Sequence, residues 1–101
     1  MRDKNRRVSL RIPLNCKTKI KVLGTRESYY GICRDLSVDG ILIESEYVPR
    51  YGQVLEISVL PPQQGPVVPL NAVIQVRRCT EVVGGSGKLY EIGAKIKEIR
   101  K

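Results

Sequence analysis

Polar and apolar residues alternate along most of this chain with the two-residue period of a β-strand. In Cys16-Lys17-Thr18-Lys19-Ile20-Lys21-Val22 the lysines take one face and small or β-branched residues the other. Gly24 to Ser28 predicts a turn, and Tyr29 to Leu36 is rich in residues that favour sheets. Asp39-Gly40 predicts a second turn, after which Ile41-Leu42-Ile43-Glu44 resumes an apolar strand that Pro49-Arg50-Tyr51-Gly52 closes. Leu55, Ile57 and Val59 alternate with Glu56 and Ser58. Leu70 to Val83 reads as one long strand, with Ala72, Ile74 and Val76 on one face and Val73, Gln75 and Arg77 on the other. Tyr90, Ile92, Ala94 and Ile96 then alternate with Glu91, Gly93, Lys95 and Lys97.

Helical periodicity is absent. The result is an all-β domain of six strands with short, mostly antiparallel connections. A six-stranded antiparallel closed β-barrel is the most economical arrangement, because closure removes the exposed edges of an open sheet. The prolines of Pro61-Pro62-Gln63-Gln64-Gly65-Pro66 supply no ladder N–H, which makes that stretch a loop within the domain. Residues 1–14 read as a flexible basic N-terminal arm and 15–101 as the barrel.

Composition narrows the function. Eighteen basic residues against ten acidic ones give a net charge of +8, which favours an anionic partner. Arg2, Lys4, Arg6, Arg7 and Arg11 face Asp3 alone in the first eleven residues. Without histidine, and with three cysteines (Cys16, Cys33, Cys79) outside any C-x-x-C spacing, no metal site is expected. The cysteines fit reduced thiols, Cys16 and Cys33 serving as small apolar fillers. No Ser-His or Cys-His pair can form, and Gly84-Gly85-Ser86-Gly87-Lys88 has the wrong spacing for a phosphate loop and sits between strands. The expectation is a binder rather than an enzyme. No leader-like or membrane-length apolar run is present, so a cytoplasmic location without membrane insertion is expected.

Two short motifs carry the candidate chemistry. Arg7-Val8-Ser9-Leu10-Arg11 is an R-x-x-x-R element, and Asp35-Leu36-Ser37-Val38-Asp39-Gly40 is a D-x-S-x-x-G element. Arginine forks bind phosphates and the O6/N7 edge of guanine, and a carboxylate accepts from guanine N–H groups. Taken singly, R-x-x-x-R recurs by chance in so basic a chain, and the second motif could merely cap a local turn. Together, in this order on a strand-rich domain, they resemble the PilZ family of bacterial cyclic di-GMP receptors. Gly93, with Ile96 three residues on, is similar to the family's closing strand, although many members have an aromatic residue where Ile96 stands.

The resemblance implies a six-stranded barrel that binds cyclic di-GMP on its outer surface, with no other cofactor. Arg7 and Arg11 would contact phosphate oxygens and the guanine O6/N7 edge. Asp35 would accept from guanine N1–H and N2–H₂, and Ser37 would bond a guanine or a phosphate. Gly40 would let the backbone turn and come close to the ligand. The residue before the first motif, here Arg6, bears on whether one cyclic di-GMP or an intercalated pair binds, and an arginine there favours the pair. Arg77 and Arg78 read foremost as a solvated strand face, with phosphate contacts as the alternative if that face borders the site. Ligand binding would order the arm on the barrel and so signal to a downstream partner. Two other readings stay open: a ligand-independent protein-interaction barrel, for which Tyr47, Val48, Pro49 and Tyr51 offer a contact patch although they read foremost as core or loop packing, and a barrel that binds single-stranded nucleic acid. The last is disfavoured, because there is no Phe or Trp and the five tyrosines (Tyr29, Tyr30, Tyr47, Tyr51, Tyr90) form no stacking cluster.

Overall fold

The structure, a computed structural model, describes residues 12–60, 69–82 and 87–100. Six strands follow in chain order: β1 (Ile12–Val22), β2 (Ser28–Leu36), β3 (Gly40–Ser45), β4 (Val54–Val59), β5 (Leu70–Val82) and β6 (Leu89–Arg100). They close into a barrel in the order β1-β2-β3-β6-β5-β4. Every neighbouring pair is antiparallel. The closed all-β barrel expected from alternation is the observed one. The first strand begins at Ile12, earlier than the run from Cys16 suggested, because Ile12 and Pro13 continue the pairing with Leu36 and Asp35.

Side chains fill the interior. Ile20, Ile43, Leu55, Ile57, Ile74, Ile92 and Val76 are fully buried, and Cys33, Ala72 and Ala94 fit the narrower places between them. Each large aliphatic residue taken from water stabilises the fold by roughly 1.5–3 kcal/mol. Cys33 fills the core as expected, and Cys16 packs against it. Two buried hydroxyls are satisfied locally. Thr18 Oγ1 donates to the Cys16 carbonyl (3.1 Å), while Ser45 Oγ donates to Tyr30 O (3.1 Å) and accepts from Tyr47 N–H (3.1 Å).

The outer face holds one buried apolar residue whose cover is visible in the ion pairs. Val73 lies between Glu56 and Glu98 in the strand register. Arg100 reaches both, with Nη1 at 3.0 Å from Glu56 Oε2 and Nε at 3.9 Å from Glu98 Oε2, so its guanidinium bridges the two carboxylates that flank Val73. At Gly31 a Cβ would collide with the carbonyl oxygen of Glu44 and lie 2.9 Å from Ser45 Cβ on the neighbouring strand. At one end of the barrel Tyr29 and Tyr47 stack, with centroids 4.5 Å apart.

A candidate ligand-binding face built by two bulges

Strict alternation would send Asp35 into the barrel, since Cys33 two residues earlier is buried in the core. A β-bulge prevents it. Cys33 pairs with Ile43 of β3, but Asp35 pairs with the next residue, Leu42, which leaves Arg34 as the extra residue. The order becomes Cys33 in, Arg34 and Asp35 out, Leu36 in against the core. Cys33 Sγ donates to the carbonyl oxygen of Asp35 (3.5 Å) across this bulge. Burial pushes the Cys33 thiol up to about 12, so it keeps the proton it donates.

Past β2 the chain turns within Ser37–Gly40. Ser37 N–H donates to Gly40 O (2.9 Å), and Gly40 N–H donates to Ser37 Oγ (3.1 Å). The hydroxyl of Ser37 points its proton at Asp39 Oδ1 (3.1 Å), with Gly40 O at 3.3 Å. Ile96 N–H of β6 donates to Asp39 O (3.0 Å) and ties the turn to the barrel. Ser37 is therefore engaged in fixing the turn and orienting Asp39. The expectation that Gly40 serves the turn by its backbone freedom is not met. Its φ is not in the left-handed region, and a Cβ would make only ordinary contacts, 3.4 Å from Ala94 O and 3.6 Å from Ser37 Oγ.

A second bulge lies across the face on β5. Val76 pairs with Ala94 of β6 and Arg78 with Gly93, leaving Arg77 as the extra residue. Val76 points in, Arg77 and Arg78 point out, and Cys79 returns to the core. The two bulges put Asp35, Leu42, Gly93 and Arg78 in one lateral row on the outside of β2, β3, β6 and β5. Above this row opens a cleft of about 450 Å³, lined by both arginines together with Asp35, Asp39, Gly40 and Lys95. Arg78 does not project straight into solvent. Its Nε lies 3.1 Å and its Cγ 3.2 Å from where a Gly93 Cβ would stand, so the side chain lies over the bare backbone of β6.

This places the sequence-derived residues unequally. Asp35 and Gly40 come together in the cleft, and Ser37 supports it from the turn. Arg6, Arg7 and Arg11 lie outside the described residues. Arg77 and Arg78 are exposed on the strand face, as first read, and that face also walls the cleft, the condition set for their alternative role, because the bulge turns Arg78 out beside Arg77. Asp39, Gly93 and Lys95 were missed as site residues. A signal was available: Cys33-Arg34-Asp35-Leu36 and Val76-Arg77-Arg78-Cys79 share an apolar-polar-polar-apolar order that breaks alternation at both walls. Of the residues offered as an alternative contact patch, Pro49 is buried and Tyr47 packs on the core, as the packing reading has it, while Val48 and Tyr51 are exposed.

The charge of the cleft suits a ligand with both anionic and hydrogen-donating parts: three cations (Arg77, Arg78, Lys95) and two carboxylates (Asp35, Asp39) line it. A second groove of about 370 Å³ is lined by Lys17, Tyr30, Ile32, Glu44, Glu46 and Leu89, with the Lys17 ammonium 4.8 Å from the Tyr30 ring centre. Its two glutamates against one lysine make it a poor seat for an anion. Among the described residues no cluster of His, Cys, Asp and Glu could hold a metal ion, and no helix is long and apolar enough to cross a membrane.

Comparison with known proteins agrees with this architecture. No curated protein matches the sequence. Among solved structures, the inhibitor of motility MotI/DgrA of Bacillus subtilis superposes with a TM-score of 0.74 at 14% identity, covering 99% of this chain and 45% of that one. The PilZ domain of YcgR from Escherichia coli, solved with c-di-GMP, gives 0.69 at 18% identity over 91% of this chain and 78% of its own. The MrkH–c-di-GMP complex of K. pneumonia gives 0.71 at 16% identity over 93% and 45%. The chain thus spans a little under half the length of MotI and MrkH. These likenesses are of fold. The sequence itself matches the family model of the PilZ domain over residues 2–101, and the chain belongs to the PilZ domain family.

Proposed function

We propose that this domain is a receptor for cyclic di-GMP, bound on the outer face of the barrel over the cleft between Asp35 and Arg78. The observation that carries the reading is the pair of bulges. They turn a guanine-reading carboxylate and a phosphate-binding guanidinium outward on the same lateral row of four strands. Asp35 and Asp39 accept from guanine N1–H and N2–H₂, which adenine cannot supply in that pattern. Arg77, Arg78 and Lys95 take phosphate oxygens by charge-assisted bonds. Gly40 leaves room for the ligand against the turn, and Ser37 holds Asp39 towards it.

The N-terminal arm supplies the remaining cations. Arg11 immediately precedes Ile12, which pairs with Leu36 next to Asp35, and this connectivity supports a part for the R-x-x-x-R element in the site. Arg7 and Arg11 close over the ligand, and Arg6 holds a second molecule of an intercalated pair. Ordering of the arm that precedes Ile12 then alters the surface the barrel offers to a partner protein or a fused domain. The YcgR PilZ domain and MrkH were both solved with c-di-GMP, which supports this choice of ligand.

Isothermal titration with cyclic di-GMP, against GTP and cyclic di-AMP, tests the reading. Selective binding with about two ligands per chain is expected, falling to about one in Arg6→Ala. Loss of binding in Arg7→Ala and Asp35→Ala, with the fold intact, is the accompanying signature. No heat from a folded protein with any of the three nucleotides would overturn it.

A further inference from the structure

We propose that Gly93 is a positioning residue for the ligand site: the missing Cβ lets the Arg78 side chain lie across β6 towards Asp35. The inference rests on the reading of the cleft given above and adds the cause of its geometry. Gly93 stands directly between Leu42 and Arg78 in the lateral row, on the outer face where every other member of the row carries a side chain. Arg78 occupies that gap, with Nε, Cγ and Cζ at 3.1, 3.2 and 3.6 Å from the position a Cβ would take. Those three are the nearest atoms, and all belong to a flexible side chain. No backbone atom stands among them, so the gap is filled by Arg78 and is not demanded by strand packing.

The backbone gives no other reason for the glycine. Gly93 is not among the described glycines with positive φ, so an alanine suits its conformation. A methyl group there leaves β6 in place and lifts the guanidinium off the sheet, away from the row and out of line with Asp35. An arginine already laid along the row loses little side-chain freedom when the ligand arrives. A lifted one must be ordered at that moment.

The experiment is a double-mutant cycle read by titration of cyclic di-GMP into wild type, Gly93→Ala, Arg78→Ala and the double variant, each checked for its thermal midpoint. Arg78→Ala is expected to weaken binding about ten- to a hundredfold, the range of one hydrogen bond to a charged group. Gly93→Ala is expected to weaken it roughly tenfold and to add nothing in the Arg78→Ala background, with no lowering of the thermal midpoint by Gly93→Ala. Equal affinity of Gly93→Ala and wild type would overturn the inference, as would an equal loss in both backgrounds. Absence of binding by wild type would instead refute the ligand reading. In that case the ligand-free protein still decides the positioning: nuclear Overhauser contacts between Gly93 Hα and the Arg78 Hγ and Hε protons are expected, and their absence overturns it.

Discussion

Replacing Gly40 with alanine separates what the D-x-S-x-x-G element does for the fold from what it does for the ligand. A glycine after Asp39 would ordinarily be ascribed to the turn. Here its φ is not left-handed, both its backbone bonds with Ser37 survive in alanine, and the added Cβ meets Ala94 O at 3.4 Å and Ser37 Oγ at 3.6 Å. Such a site tolerates alanine, which also restricts the unfolded chain. The expected change is a gain of about 0.4–1 kcal/mol. For a domain of this size that raises the thermal midpoint by about 2–8 °C. The same methyl group intrudes on the cleft, because Gly40 lines it beside Asp39 and Lys95. Overpacking by one carbon costs about 1–3 kcal/mol, or about 5- to 150-fold in affinity. Differential scanning calorimetry of the free protein and titration with cyclic di-GMP read the two effects separately. A loss of about 2 kcal/mol or more without ligand, the size of an overpacking penalty, would show that the glycine is structural and would refute the reasoning. Unchanged affinity would remove Gly40 from the ligand surface.

Other substitutions discriminate further. Gly31→Ala has no such tolerance, since its Cβ meets the backbone oxygen of Glu44; a loss of about 2–3 kcal/mol in urea unfolding is expected. Ser37→Ala removes the hydroxyl that joins Asp39 and Gly40, so about 1 kcal/mol of stability and part of the ligand affinity should go together. Cys33 favours its neutral thiol in the fold, with a value raised from 9.0 to about 12 by burial. Its contribution is therefore complete below about pH 9 and is lost as pH rises towards 12, by at most about 1.4 kcal/mol per unit. Unfolding of wild type and Cys33→Ala across that window should show the steeper slope in wild type, because Cys79 and Tyr29, also shifted up in the fold, remain in the variant. Ellman titration at about pH 8, below the ordinary thiol range, should find Cys33 protected until the protein unfolds.

Much of the barrel was legible because its signal is local. Alternation in β1, β4 and β6 points Ile20, Ile57 and Ile92 inward, and tertiary packing agrees with it. The site was less legible because it depends on two departures from alternation. Whether Arg34 or Arg77 is an extra residue is decided by the partner strand, in the register of β2 with β3 and of β5 with β6. Period alone, applied to β5, turns only Arg77 to the outer face with Val73 and Gln75. The Gly40 motif misleads in another way: its residues suggest a turn requirement that the Ser37 hydroxyl meets instead.

The most direct measurement is a two-dimensional ¹H–¹⁵N titration of the labelled domain with cyclic di-GMP. The largest shifts are expected at Asp35, Asp39–Leu42, Arg77–Arg78 and Gly93–Lys95, with the amides around Val48 and Tyr51 unmoved. Shifts confined to the Tyr47–Tyr51 end, or none at saturating nucleotide, would contradict the assignment of this face as the receptor site.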